Sequence, residues 1–139
     1  MISVRLAEVA DIDQIFTLTS DFATSFRPDA QALQASFARL IRHSDARVLV
    51  AVETAMIVGY LLGFDHDTLF ANGRVAWIEE LMVREDRRRN GIGRMLVERF
   101  ERWTRERGGR LVGLATRRAA AFYAAIGYEE SAAYFRKLM

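Results

Sequence analysis

The period of the apolar positions changes several times along this chain, and each change marks an element. Ile2–Leu6 alternates apolar and polar residues, the period-two signature of a short strand. Asp11 then stands where a helix N-cap would, with Gln14 in capping-box spacing, and Ile12, Ile15, Phe16, Thr19 and Phe22 follow at helical intervals. Thr24–Arg27 links this helix to a second one, which restarts at Pro28-Asp29 and lines up Ala30, Leu33, Phe37, Leu40 and Ile41. Arg47–Val52 and Ile57–Phe64 read as the strands of a hairpin around the polar turn Glu53–Ala55, and Asp65–Gly73 as a loop. Arg74–Val83, rich in β-branched and aromatic residues, predicts a long strand.

A helix from about Gly91 to Arg107 follows, with Ile92, Met95, Leu96, Phe100 and Trp103 on one face. Glu98–Arg102 and Glu101–Arg105 pair at i,i+4 on its outer side, and Gly108-Gly109 ends it. Arg110–Ala115 predicts a strand, Arg117–Ile126 an Ala-rich helix with Gly127 as its C-cap, and Tyr128–Glu130 and Ala133–Leu138 two closing strands. The order β-α-α-β-β-β-α-β-α-β-β implies an α/β chain of the α+β kind, a mixed sheet covered by helices. No repeat or linker interrupts it, so the expectation is a single domain over residues 1–139.

Composition narrows the function classes. The 139 residues are 51% hydrophobic and 27% charged, enough apolar material for a core without staples. The absence of cysteine excludes disulfides, thiolate metal sites and a cysteine nucleophile together, and fits a reducing cytoplasm. No metal-ligand spacing is visible, and His43 and His66 read as surface residues. A formal charge of +2 argues against a general nucleic-acid coat protein. The cations are nearly all Arg, which favours planar contacts to phosphate or carboxylate. No run approaches the roughly 18 apolar residues of a membrane helix, and the N-terminus lacks a secretory pattern, so the expected location is the cytoplasm with no membrane partner.

The chemistry concentrates in Glu79–Arg94, where a strand ends, an Arg-rich loop follows and a helix opens at two glycines. Helix N-termini carry unpaired N–H groups and partial positive charge. Gly91 and Gly93 would let a phosphate approach those groups, with Arg87, Arg88, Arg89 and Arg94 around it. The P-loop pattern G-x-x-x-x-G-K-S/T and the dinucleotide fingerprint G-x-G-x-x-G are both absent. Alone, such a short basic, Gly-containing string is equally compatible with a solvated loop.

Two segments taken together are more specific. Val83, Arg88-Arg89-Asn90-Gly91-Ile92-Gly93, the helix with Met95 and Leu96, and Phe122-Tyr123-Ala124-Ala125-Ile126-Gly127-Tyr128 resemble the GNAT superfamily of N-acetyltransferases. They are similar to its acetyl-CoA signature Q/R-x-x-G-x-G/A and its F-Y-x-x-x-G-F/Y element, in order and at the usual distance. The resemblance implies a central strand that ends in a bulge and splays from its parallel neighbour. Acetyl-CoA would lie in that opening as acyl donor, with no metal. Its pantetheine arm would pair with backbone at Leu81, Met82 and Val83, and its pyrophosphate would sit on the amides of Arg88, Arg89, Asn90, Gly91, Ile92, Gly93 and Arg94. Where many relatives carry an Asn that contacts the pantetheine arm, this chain has Thr116, a shorter donor.

Acetyl transfer to an amine needs a base, an oxyanion donor and a proton for the departing thiolate. The resemblance puts Tyr123 in the acid role and the backbone N–H near Met82 in the oxyanion role. It also puts Glu79, where several relatives carry a carboxylate, first as base. Glu80 is the second candidate. As neighbours on a strand the two carboxylates point to opposite faces unless a bulge intervenes, and Glu79 shares parity with Leu81 and Val83. The acceptor would be a primary amine of a small molecule or peptide, walled by Phe22–Arg27 and Asp65–Gly73, with Asp65, Asp67, Glu79 and Glu80 as possible negative charges. Trp77 is the better pocket candidate of the two tryptophans. The competing reading is a non-catalytic acyl-CoA-binding regulatory module. A nucleic-acid binder using Arg84–Arg94 is disfavoured, because Glu85 and Asp86 interrupt the cations and no aromatic residue interleaves them. The resemblance also makes a homodimer plausible.

Overall fold

The computed structural model describes every residue except 23 and 24. Its strands are β1 (Ile2–Leu6), β2 (Ala46–Glu53), β3 (Met56–Asp67), β4 (Arg74–Val83) and β5 (Gly109–Leu114). Its helices are α1 (Ile12–Phe22), α2 (Ala30–Leu40), α3 (Ile92–Glu106) and α4 (Ala120–Ala125), with single 3-10 turns at Val9–Asp11 and Glu85–Arg87. The sheet runs β1-β2-β3-β4-β5, antiparallel except for the parallel pair β4–β5.

Helices cover both faces of the sheet, which is why β2 and β3 are nearly continuous apolar runs rather than alternating ones. On one face Leu49, Ala51, Val58, Leu61, Ala76 and Ile78 pack against Ile92, Leu96 and Phe100 of α3 and Tyr123 of α4. On the other, Val48, Val50, Tyr60, Leu62 and Met82 meet Ile15 and Leu18 of α1 and Phe37 of α2. Fully buried side chains such as Phe100 and Leu61 each contribute about 1.5–3 kcal/mol.

Three sequence expectations need correction. Asp11 does not cap α1: Glu8 stands at the N-cap of the 3-10 turn, and Asp11 returns a carboxylate oxygen to the Glu8 N–H at 2.7 Å. Asp11 also holds Arg5 through two hydrogen bonds of 2.8 and 3.0 Å, while Gln14 reaches across and accepts from the Ile57 N–H at 2.8 Å. The loop Asp65–Gly73 begins three residues later than expected, because β3 extends to Asp67 opposite Arg74. The closing strands at Tyr128–Glu130 and Ala133–Leu138 do not form, and no regular element follows α4. Tyr134 and Phe135 are adjacent, so the segment offers no clean period-two face; both side chains are exposed. The observed order is therefore β-α-α-β-β-β-α-β-α.

Gly127 does close α4. Its φ of +96° lets Tyr128 N–H reach Tyr123 O at 2.9 Å and Gly127 N–H reach Ala124 O at 3.2 Å, the paired bonds of a Schellman motif.

Candidate active site

The middle of β4 is irregular. Leu62 pairs with Glu80 but Gly63 pairs with Ile78, so Glu79 is an extra residue on β4. Ile78, Leu81 and Val83 consequently all pack on the α3 side, which an unbroken two-residue period forbids. Strand alternation therefore no longer sets the face of Glu79 relative to Leu81 and Val83. Gly63 sits at the same place because a Cβ there would lie 2.4 Å from the Phe100 ring.

Past the bulge β4 parts from β5. The parallel pairing runs from Arg74↔Gly109 to Ile78↔Leu114 and stops, while β4 stays on β3 as far as Val83. Residues 79–83 thus present a strand edge to an opening with no strand opposite, and unpaired edge N–H and C=O groups are a template for an extended ligand.

The N-terminus of α3 closes one end of the region. Gly91 is its N-cap, in the left-handed conformation at φ +77°, with no side chain capping the helix. Met95 N–H makes the bond to Gly91 O at 3.0 Å, which leaves the amides of Ile92, Gly93 and Arg94 without helical acceptors. A Cβ on Gly91 would meet nothing within 4 Å, so the approach is open. Gly93 has a different task, since its Cβ would stand 3.1 Å from Phe122 Cζ. Its smallness lets α4 pack on α3.

The arginines divide as well. Arg87 pairs with Glu53 at 2.7 Å and Arg94 with Glu98 at 2.8 Å. The second pair is exposed, of a kind worth about 0–1 kcal/mol, and the first is half-buried. Arg88 turns its Nε onto Val83 O at 3.1 Å, and Asn90 Nδ2 donates to Arg87 O at 3.2 Å. Arg89 adopts a left-handed φ of +67° and makes no ion pair among the described residues.

Tyr123 lies in the α3-side core at 8% exposure, its ring edge-on to Phe122 and Tyr128. Burial pushes its phenol up to about 12. It thus keeps its proton across the neutral range. Thr116 is exposed, and its hydroxyl oxygen accepts from the Ala119 N–H at 3.0 Å, supporting the start of α4.

Glu79 is exposed, whereas Glu80 is half-buried. Tyr60 donates its hydroxyl to Glu80 Oε1 at 2.7 Å, and Thr19 donates to the Tyr60 oxygen at 3.1 Å. Burial raises the Glu80 carboxyl above its ordinary range; the Tyr60 hydrogen bond opposes that shift and the charge of Glu79 adds to it. The Tyr60 phenol is itself pushed far up, first by burial and then by the Glu80 charge. Sequence reasoning missed this chain of groups. Its one trace is a tyrosine inside an otherwise apolar strand and a threonine on the apolar stripe of α1.

Asp65 does not offer charge to an acceptor. Its side chain is fully buried, bound by Arg74 at 2.8 Å and Arg107 at 2.6 Å. Burial pushes Asp65 up, but the hydrogen bonds and charges of the two arginines outweigh it and hold the carboxyl low. Asp67 is exposed and 3.4 Å from Arg74. Of the expected acceptor wall Phe22–Arg27, residues 23 and 24 lie outside the described residues. Among the described residues no group of three or more His, Asp or Glu is arranged to hold a metal ion, and no helix is long and apolar enough to cross a membrane.

Comparison with known proteins gives the same architecture. The profile of the acetyltransferase (GNAT) family matches residues 12–128. A transcriptional regulator from Bacillus halodurans C-125 superposes with a TM-score of 0.90 at 23% identity, over 100% of both chains. The glucosamine-6-phosphate N-acetyltransferase of Arabidopsis thaliana gives 0.88 at 17% identity, covering 99% of this chain and 98% of that one. The ribosomal-protein-alanine N-acetyltransferase of Brucella melitensis biovar Abortus 2308 gives 0.80 at 19%, over 99% of each. At these identities the likeness is one of fold. No curated protein matches the chain.

Proposed function

The chain belongs to the acetyltransferase (GNAT) family, and from that premise we propose that it is a single-domain N-acetyltransferase moving an acetyl group from acetyl-CoA to a primary amine. The observation that carries the reading is the parting of β4 from β5 after Ile78, beside an α3 N-terminus that no side chain caps. A thioester with a long amide-bearing arm and a diphosphate matches that pair of features: strand edge for the arm, free amides and helix dipole for the anion.

When bound, acetyl-CoA supplies the activated acetyl carbonyl. Leu81, Met82 and Val83 offer the backbone edge that orients the arm, and the Met82 N–H is the donor for charge developing on the carbonyl oxygen. Gly91, Ile92, Gly93 and Arg94 hold the diphosphate through main-chain N–H groups, with Arg88, Arg89 and Asn90 flanking it and Thr116 near the arm. Glu80 takes a proton from the attacking amine, directly or through one water, while the C–N bond forms. Glu80 is preferred over Glu79 because it is desolvated and oriented by Tyr60, and a base works best with its pKa moved toward the operating pH. Tyr123 gives its proton to the sulfur as the C–S bond breaks. Both substrates are held together, so orientation contributes to the rate without a covalent enzyme intermediate.

Two fold neighbours carry amine acceptors in their names, one a sugar phosphate and one a protein alanine, and both classes belong in a test. The cysteine-free composition supports a reducing, cytoplasmic setting. The experiment is thiol release from acetyl-CoA by purified protein against amino sugars, aminoglycosides and amino-terminal peptides. Turnover on one class is the expected result. Calorimetric CoA binding with no turnover on any amine would instead favour the regulatory module.

A further inference from the structure

The far end of α3 carries a groove unrelated to the acetyl-transfer cleft. It is an open hollow of about 290 Å³ between the C-terminal half of α3 and the strands β1 and β2, lined by Arg47, Arg99, Arg102, Trp103, Glu106 and Leu49 among others. At 1.5 Å per residue, Arg99–Glu106 lies roughly 10–20 Å along the helix from Ile92.

The charges of this groove do not balance. Arg107, just behind it, is neutralised by Asp65 and Asp45. Arg99 spends one N–H on Val4 O at 3.1 Å, and Arg47 and Arg102 make no ion pair among the described residues. Glu106 is the carboxylate in the lining. The guanidinium carbons of Arg47 and Arg107 lie over the Trp103 ring, 4.9 and 4.8 Å from its centroid. Burial, then repulsion from Arg107, lowers the Arg47 pKa, a further sign of a cation short of counter-charge. Trp103 itself is 8% exposed, and its Nε1 is a buried donor with no acceptor. Leaving such a donor unpaired costs about 1–3 kcal/mol.

We infer that this groove is an anion site, taking a compact small-molecule dianion with phosphate or carboxylate oxygens. Arg47, Arg99 and Arg102 provide planar forks suited to such oxygens. The groove would take this ligand whether or not the chain transfers acetyl groups.

The test is calorimetry at low ionic strength with glycerol 3-phosphate and with succinate, on the full chain saturated with CoA or free of it. One site per chain is expected, unaffected by CoA and weakened at least tenfold in Arg102→Gln and Arg47→Met. Whichever probe binds tighter identifies the oxygen chemistry preferred. The Trp103 indole N–H resonance, assigned by its loss in Trp103→Phe, should shift during the titration. Arg102 is exposed, so its variant keeps the fold, which a thermal melt checks even if Arg47→Met is damaged. Absence of binding by both probes, displacement of the probe by CoA, or wild-type affinity in Arg102→Gln would overturn the inference.

Discussion

Glu80→Gln isolates the proposed proton-accepting role from everything else that residue does. The glutamine amide has nearly the same shape, and its carbonyl oxygen can still accept from Tyr60, so the contact now at 2.7 Å persists. What disappears is a base, for which general-base catalysis supplies about 10²–10⁴-fold in rate. At about 1.36 kcal/mol per decade that is roughly 3–5 kcal/mol of barrier. Stability should move the other way. The Glu80 pKa is raised in the folded protein, so the folded state holds this proton more tightly than the unfolded chain. The stability linked to it is complete below the unfolded value and is lost as pH rises through the folded one. At pH 8 the wild type therefore bears a desolvated carboxylate that the variant lacks. Glu80→Gln should melt no lower than wild type there, with the gap narrowing in acid. The assay is thiol release across about pH 5–9 alongside thermal melts. In wild type, kcat/KM should fall on the acid side at a pH above the ordinary glutamate value of about 4.3, and the variant should lose that limb. Glu79→Gln, at an exposed position, should cost less than tenfold. A Glu80→Gln enzyme with wild-type kcat and an unchanged acid limb would refute the assignment.

Tyr123→Phe should lower kcat about 10²–10⁴-fold with CoA affinity unchanged. Because its phenol is pushed up to about 12, the wild-type kcat profile should show no loss from this group below pH 10; stopped-flow turnover and calorimetry together check both. Gly91→Asp should weaken CoA binding at least tenfold by calorimetry, since it puts a carboxylate at the open amides and forces a side chain into φ +77°. Gly93→Ala should chiefly lower the melting temperature, through Phe122. Asp65→Asn should destabilise by about 2–4 kcal/mol in denaturant titrations, below the usual range for a broken buried pair because both arginines are partly exposed. Its wild-type contribution is present at neutral pH and lost as pH falls through the depressed Asp65 pKa, so the difference should shrink in acid.

Periodicity and turn chemistry placed the elements that have a strong local signal. Ile2–Leu6 and Arg74–Val83 coincide with the observed strands, and Gly91 falls at the helix start. Tertiary contacts decided the rest. Nothing local distinguishes Gly91, whose backbone turns left-handed in open space, from Gly93, whose hydrogen faces Phe122 from another helix. The row of cations does not show which arginines have partners: the carboxylates that pair with Arg87 and Arg94 come from β2 and from the next turn of α3. The different burial of the two glutamates could not be read from the sequence, because it depends on where β4 inserts its extra residue against β3, opposite Gly63, where a Cβ would meet the Phe100 ring.

That extra residue links the two halves of the proposed site. A bulge bends its strand and increases the local twist, and here it falls at the point where β4 leaves β5, just after Ile78↔Leu114. One irregularity thereby opens the edge at residues 79–83 and keeps Leu81 and Val83 on the α3 core. It also leaves Glu80 on the opposite side, with Tyr60, Thr19 and the α1 helix. The proposed donor edge and the proposed base are thereby set by neighbouring residues of one strand: β5 ends at Leu114 opposite Ile78, and the bulge falls at the next residue of β4. The cost of the device is small, an unpaired exposed residue at Glu79, because the rest of β4 remains in register with β3 up to Gly59↔Val83. Chemistry at this position thus follows from a backbone feature more than from either carboxylate alone.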